Sequence, residues 1–276
     1  MVLFVLFATT LSYVYTIASG YDITFVLLIL LISIAASIGS YFYSNKIVLS
    51  TSGAKPVAEA DNPQLYRIVE NLTIATGMPM PKIYSIHDPS PNAFATGRDP
   101  KHAVIAVTTG LLQKLNKAEL EGVIAHELSH VKNYDIRLMA IVVVLVGFVA
   151  ILADIFMRSI WYGGDRKKGG GIFILLGIVF VLLSPVIATL IQLAVSRKRE
   201  FLADASGVLI TRYPEGLANA LEKIAADPHP VRDAGNATAH LYIENPFKGK
   251  TKGAWFASLF NTHPSVEERI KILRSM

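Results

Sequence analysis

Four long stretches of the chain carry almost no charge, and this pattern restricts the fold more than any other feature. Residues 2–18, 23–44 and 172–195 contain no Asp, Glu, Lys or Arg, and residues 138–157 contain only Asp154. A helix needs about 20 apolar residues to cross the hydrocarbon core of a bilayer. The sequence therefore predicts four transmembrane helices, of which 2–18 is the shortest.

The composition agrees with a membrane protein. Hydrophobic residues make up 52% of the chain and charged residues 17%, whereas soluble domains carry roughly 25% charge. These values exclude a disordered chain and argue against a wholly soluble protein. Cysteine is absent, which excludes a disulfide framework and thiolate metal ligands. Any metal must therefore be held by His, Asp or Glu.

The predicted spans form two hairpins, which place both large segments on one side of the membrane. Segments 45–137 and 196–276 lie on that side, and the connections 19–22 and 158–171 lie on the other. Because Lys and Arg near span ends mark the cytoplasmic side, we expect a multi-pass protein of the cell membrane with cytoplasmic large segments. These residues are Lys46, Lys55, Lys132, Arg137, Arg197, Lys198 and Arg199 beside the large segments, against Arg158, Arg166, Lys167 and Lys168 opposite.

The two large segments together are long enough to form one domain with its own core. Besides the helix that opens at Asn116 and the helix that follows the fourth span, their residue patterns predict three helices, one separate strand, and a hairpin around the turn Gly97–Pro100. The helices are expected near 63–76, 214–226 and 264–275, and the strands at 82–86, 92–96 and 103–108. The predicted fold class is therefore α+β and mainly helical: four transmembrane helices plus a domain with a small β-sheet, assembled from two chain segments.

The strongest chemical signal is the pair His126 and His130 with Glu127 between them. They lie in a predicted helix that opens at Asn116, with Glu119 as its capping-box partner. Residues i and i+4 share a helix face, so both imidazoles can reach one ion. Glu127 is rotated by about 100° from His126, and it can reach a water molecule bound to that ion. This arrangement is typical of a zinc hydrolase with a Glu general base.

A catalytic zinc needs a third protein ligand and one open position. Glu200 and Asp204 follow the fourth predicted span and again share one helix face. Glu200 can be the third ligand, while Asp204 can accept the Nδ1 hydrogen of a ligand His and orient it. Without the first motif, this pair would indicate only a solvated helix face.

These motifs, taken together, resemble the HtpX-type membrane zinc metalloproteases, relatives of the CAAX prenyl endopeptidases. The likeness covers nearly the whole chain and includes Pro91–Ala95, the sequence Thr262–Ser265 and Arg269. Ser265 stands where the family often has a second Pro, which affects no catalytic group. The resemblance implies a zincin-like, gluzincin-type endopeptidase that degrades misfolded membrane proteins in quality control and the stress response. Its implied zinc ligands are His126, His130 and Glu200, with Glu127 as the catalytic base.

The resemblance and the motifs give the following domain organisation. Residues 1–44 hold two transmembrane helices, 45–137 the first part of the catalytic domain with the zinc helix, 138–195 a transmembrane hairpin, and 196–276 the second part of the catalytic domain.

The tetrahedral intermediate of peptide hydrolysis needs a group that stabilises its oxyanion. His263 is our candidate, with Arg269 as a supporting or substrate-positioning charge. His263 also fits a structural role at a helix start, because Pro264 suits the first position of a helix. His240 is a second candidate for the oxyanion role.

Substrate binding is expected at the predicted strand 92–96. An extended peptide can add to an edge strand through main-chain hydrogen bonds, which gives little side-chain selectivity. An internal hairpin strand is an equally good interpretation of this segment. The residues concerned are Asn92, Ala93, Phe94 and Ala95.

Two other functions are consistent with parts of the sequence. A CAAX-type processing protease would use the same chemistry on lipid-modified C-termini, but such enzymes are expected to have more than four spans. A membrane scaffold with a structural zinc would need a fourth protein ligand, and none is evident.

The net charge of +5 is explained by contact with anionic lipid headgroups, and there is no nucleic-acid module. The expected partners are therefore membrane lipids and unfolded or damaged membrane proteins.

Overall fold

The computed structural model describes residues 1–19, 22–139, 196–232, 238–246 and 264–276. The chain divides into two compact units. One comprises Met1–Ser44 and Ile141–Leu190, and the other comprises Asn45–Ala140 and Ile191–Met276. Apart from residues 138 and 139, the predicted third and fourth spans lie outside the described residues, as does Asp154.

Two helices begin the chain, α1 at Val2–Ser19 and α2 at Ile23–Thr51. Among the described residues no single helix is both long and apolar enough to cross a membrane. Two consecutive pieces of α2, Ile23–Gly39 and Tyr41–Thr51, have that length and hydropathy together and meet at a bend of 68°. The four spans therefore stay a prediction.

The second unit contains the remaining helices and all the strands of the described residues. In chain order these are β1 (Lys55–Pro56), α3 (Pro63–Thr76), β2 (Lys82–Ile86), β3 (Ala93–Thr96), β4 (Val104–Thr108), α4 (Thr109–Lys114), α5 (Lys117–Lys132), α6 (Arg197–Thr211), α7 (Pro214–Ala226) and α8 (Val266–Leu273).

The observed elements match the predicted ones closely where local signals are strong. Helix α3 begins after Asn62, whose side chain accepts a hydrogen bond from Leu65 N at 3.0 Å, and it ends at Gly77 in the left-handed conformation. The last helix begins later than predicted. Ser265 is its N-cap and accepts a hydrogen bond from Glu268 N, so Pro264 precedes the cap instead of opening the helix.

The strands form one four-stranded mixed sheet in the order β1-β2-β4-β3. Strands β2 and β4 are parallel, and β3 pairs with β4 in antiparallel register, with Phe94 opposite Ala106. The predicted hairpin is thus confirmed. Its turn requires glycine, because Gly97 has φ +144° and a Cβ there would lie 2.6 Å from the carbonyl oxygen of His102. Strand β3 lies at one edge of the sheet.

Helix α5 lies at the centre of this unit, and nearly all its residues from Glu119 to Val131 are buried. Its apolar side chains, among them Val123 and Leu128, form one core with the sheet and with helices α3 and α7. Two glycines permit close helix packing. A Cβ on Gly122 would lie 2.7 Å from Leu217 N in α7, and a Cβ on Gly207 in α6 would lie 3.1 Å from His126 N. Helix α5, which carries His126, Glu127 and His130, therefore packs closely against the backbones of α6 and α7.

We expect Gly122→Ala to reduce the free energy of unfolding by about 1–3 kcal/mol, because the added methyl group must push α5 away from α7. The measurement is thermal unfolding of the purified protein in detergent. Gly39→Ala is the control, since a Cβ on Gly39 meets no atom of the described residues within 4 Å. Equal unfolding temperatures for the two variants would contradict the close approach of the two helices.

Candidate metal centre

Helices α5 and α6 bring the three predicted ligands together. One donor atom each from His126, His130 and Glu200 lies within 4.8 Å of the others, and all three side chains are buried. The two imidazole Nε2 atoms are 3.1 Å apart. Glu200 Oε2 lies 3.7 Å from Nε2 of His126, and its Oε1 lies 3.5 Å from Nε2 of His130.

These distances fit one tetrahedral metal ion. Ligand atoms about 2.0–2.1 Å from a tetrahedral zinc lie roughly 3.3–3.4 Å from each other. The two imidazole Nε2 atoms, 3.1 Å apart, are close to this spacing, and each lies 3.5 or 3.7 Å from a different oxygen of the Glu200 carboxylate. Two imidazole nitrogens and one carboxylate are also a donor set that binds zinc in hydrolases. The side chains in this cluster therefore fit Zn²⁺.

The imidazole of His126 is oriented by an acidic group on its far side. Its Nδ1 lies 2.8 Å from Oδ1 of Asp204, one helical turn after Glu200. Arg269 in α8 donates two hydrogen bonds to the same carboxylate, Nε to Oδ2 at 2.8 Å and Nη2 to Oδ1 at 2.7 Å. Burial disfavours the charged carboxylate, but Arg269 and His126 lower the pKa of Asp204 to about 2. Burial also lowers the pKa of His126, which favours the neutral form of the imidazole that binds a metal.

The imidazole of His130 has its own acidic partner, Asp135, which sequence reasoning missed. Asp135 Oδ2 lies 3.0 Å from His130 Nδ1, and the carboxylate is buried and also pairs with Arg199. Tyr134 makes this contact possible, because its φ of +60° turns the chain back at the end of α5. The sequence feature that could have predicted this pair is an Asp five residues after His130, just beyond the end of the helix.

The carboxylates around His130 affect its proton affinity. Burial opposes protonation, but the hydrogen bond to Asp135 and the charge of Glu200 raise the pKa of His130 to about 9. A metal ion that binds here must therefore displace a proton from this imidazole.

Glu127 follows His126 in α5 but lies outside the three-residue ligand cluster. Its side chain is 2% exposed, and burial raises the pKa of Glu127 to about 7. The backbone N–H of Ala95 donates a hydrogen bond to this carboxylate and partly opposes that rise. The group can therefore accept and release a proton near neutral pH.

The remaining predicted site residues have different positions. Asn92 and strand β3 are all buried, and β3 runs past Glu127. Arg269 is 1% exposed and, besides Asp204, it donates to the backbone carbonyl of Ile243 at 3.1 Å. These contacts indicate that it supports the metal centre. His263 and the side chain of His240 lie outside the described residues.

Comparison with known proteins identifies the family to which a chain with this site is similar. The model described as "Peptidase family M48" matches residues 59–276. The chain is 48% identical to a protein named "Protease HtpX homolog" from Tropheryma whipplei (strain Twist), over 92% of this chain and 86% of that protein. It is 44% identical to a protein of the same name from Caldanaerobacter subterraneus subsp. tengcongensis, over 100% of this chain and 93% of that protein.

One solved structure has a similar fold. "Crystal Structure of S. mikatae Ste24p" aligns with a TM-score of 0.54 at 18% sequence identity and covers 97% of this chain. The chain spans 61% of the length of that protein. At this identity the likeness concerns the fold alone.

We expect Asp135→Asn to lower the affinity for Zn²⁺ by about 10- to 100-fold, because an oriented ligand His loses its anionic partner. The measurement is competition between the purified protein and a zinc chelator. Asp99→Asn is the control, because Asp99 forms a similar pair with His102, at 2.7 Å on the surface. If both variants retained zinc as the wild type does, Asp135 would not orient a metal ligand.

Proposed function

The chain belongs to peptidase family M48, and we propose that it is a membrane-bound zinc endopeptidase. In this proposal His126, His130 and Glu200 hold the metal, and Glu127 is the general base. One observation carries it: the buried ligand cluster lies directly beside a carboxylate whose pKa is about 7. Asp204 and Asp135 orient the two imidazoles.

In peptide hydrolysis a bound metal and the side chains of this protein would have different roles. A bound Zn²⁺ would polarise the peptide carbonyl and make a bound water acidic at neutral pH. Glu127 takes a proton from the attacking water and delivers a proton to the leaving amine, so that water is added across the C–N bond.

The oxyanion of the intermediate also needs a donor. We assign this role to His263, which lies three residues before the start of α8, the helix that brings Arg269 to the centre. His240 is the alternative, because the short 3-10 helix Ala239–Leu241 leads directly to residues that contact β3.

The proposed substrates are unfolded or damaged membrane proteins, in quality control and the stress response. This part rests on the uncharged stretches of the sequence and on backbone recognition at β3, which suits varied clients. The same stretches support a multi-pass protein in the cell membrane with its catalytic domain in the cytoplasm. The basic residues beside the predicted spans would contact anionic lipid headgroups.

A structural zinc in a non-enzymatic scaffold is the weaker alternative. Structural sites fill all four positions with protein ligands, whereas the cluster found in the described residues has three. A general base beside the cluster has no purpose in a structural site.

We expect Glu127→Gln to reduce peptide cleavage by at least about 100-fold, because the proton acceptor is lost, while one zinc per chain is retained. Cleavage of an unfolded protein and zinc content are measured on the same detergent preparation. Glu121→Gln is the control and should cleave at the wild-type rate, because Glu121 is partly exposed near the start of the same helix, 3.7 Å from Lys117. Wild-type cleavage by the Glu127 variant would refute the mechanism.

The CAAX-type alternative makes a different prediction about substrates. We expect the enzyme in membrane vesicles to cleave an unfolded membrane protein faster than a prenylated C-terminal peptide, since backbone pairing gains nothing from a lipid. The two substrates are compared at equal concentration, each with the Glu127→Gln protein as the blank. Preferred cleavage of the prenylated peptide would favour the CAAX-type function.

A further inference from the structure

The edge strand β3 is buried although no strand of the sheet lies beyond it. Asn92 exchanges hydrogen bonds with Thr108 of β4. Because inward and outward groups alternate along an antiparallel strand, the peptide groups of Ala93 and Ala95 face away from β4. Ala95 N–H points to Glu127. The four residues of β3 are nevertheless at most 2% exposed, so other parts of the protein cover this edge.

Residues Tyr242, Ile243 and Glu244 cover it in a regular manner, and we call them the edge segment. The Tyr242 ring contacts the Phe94 ring edge to face at 5.2 Å. The backbone N–H of Ile243 donates to the carbonyl of Ala93 at 3.0 Å. The side-chain amide of Asn92 donates to the carbonyl of Glu244 at 3.0 Å. The partners run in opposite order, so the edge segment lies antiparallel to β3. One main-chain hydrogen bond joins the two, because the Ala93 N–H donates to Oδ1 of Asn92 instead.

The edge segment is also bound from the metal side. Arg269 donates from Nη1 to the carbonyl of Ile243 at 3.1 Å, and the same nitrogen lies 3.6 Å from Oε2 of Glu200. The guanidinium is fixed by its two hydrogen bonds to Asp204. Three groups thus bind the backbone of residues 243 and 244: the carbonyl of Ala93, the side-chain amide of Asn92 and the guanidinium of Arg269.

We propose that the edge segment is an internal pseudosubstrate, which occupies the place of an extended peptide on β3 and must leave before a substrate binds. This inference rests on the proposed function. In it, Ala93, Asn92 and Arg269 are the groups that recognise the substrate backbone. Their hydrogen bonds all go to backbone groups of the bound segment, so they would accept many sequences. The packing of Tyr242 on Phe94 adds a preference for a large apolar or aromatic substrate residue at that position.

Hydrogen exchange tests the displacement without disturbing the edge segment. The zinc-loaded, full-length Glu127→Gln protein in detergent is mixed with reduced, carboxymethylated α-lactalbumin, an unfolded protein. Amide exchange in residues 238–246 should become at least threefold faster when this protein binds, while exchange in α7 stays the same. Unchanged or slower exchange in 238–246 with the substrate bound would overturn the proposal.

A variant supplies the complementary test. Tyr242→Ala removes the ring that anchors the edge segment on Phe94, and we expect cleavage of the same unfolded protein to have a KM at least threefold lower than the wild type. Leu221→Ala is the control, because Leu221 is also fully buried but lies in α7, and its KM should not fall. An unchanged or higher KM for Tyr242→Ala, with zinc content equal to that of Leu221→Ala, would contradict a pseudosubstrate.

The two proposals fail in different ways. A wild-type protein that binds no zinc and cleaves no unfolded protein would refute the proposed function, and the pseudosubstrate with it. A wild-type protein that cleaves, combined with unchanged exchange in 238–246, would refute the pseudosubstrate alone.

Discussion

The compensation of buried charge is the constraint on which this domain depends. Glu127, Glu200, Asp135 and Asp204 are all at most 3% exposed, and an uncompensated buried carboxylate is severely destabilising. Arg269 balances Asp204, and Arg199 balances Asp135. Glu127 and Glu200 lie beside the two imidazoles, and Arg269 also reaches Glu200 at 3.6 Å. A divalent cation bound there would add positive charge next to both carboxylates. The cluster is therefore a poor structural core and a good metal site.

This compensation joins parts of the chain that are far apart in sequence. Asp135 ends the α5 region, whereas its partner Arg199 lies in α6 next to the ligand Glu200. Arg269 comes from α8 and reaches both Asp204 and Glu200. Each pair fixes a ligand on one helix by means of a charge on another. Because removal of one member leaves the other charge buried and unpaired, the centre forms only when all three helices are in place.

The sequence predicts those features that depend on local periodicity. The spacing of His126 and His130, and of Glu200 and Asp204, follows from one helical turn, and the hairpin follows from the Gly97 turn. Asp135 was missed because its contact depends on the positive φ of Tyr134, which no helical pattern indicates. The position of Ile243 against Ala93 was missed for a different reason. Their hydrogen bond joins residues 150 apart in sequence. Because two backbone groups form it, it requires no particular side chain at either position.

If β3 recognises the backbone of its substrates, as proposed, there is a physical reason for this edge strand to be covered. A strand edge with free N–H and C=O groups pairs with any extended chain, including other copies of the same protein. A protease for varied unfolded clients needs such an edge, because side-chain pockets would narrow its range. A covering segment held by the same three groups resolves this conflict, since only a chain that binds the edge well enough to displace residues 242–244 gains access. In this proposal, selectivity comes mainly from the free energy of displacement, and the apolar or aromatic preference at Phe94 is added to it. Folded proteins, whose strands are already paired, are excluded for the same reason.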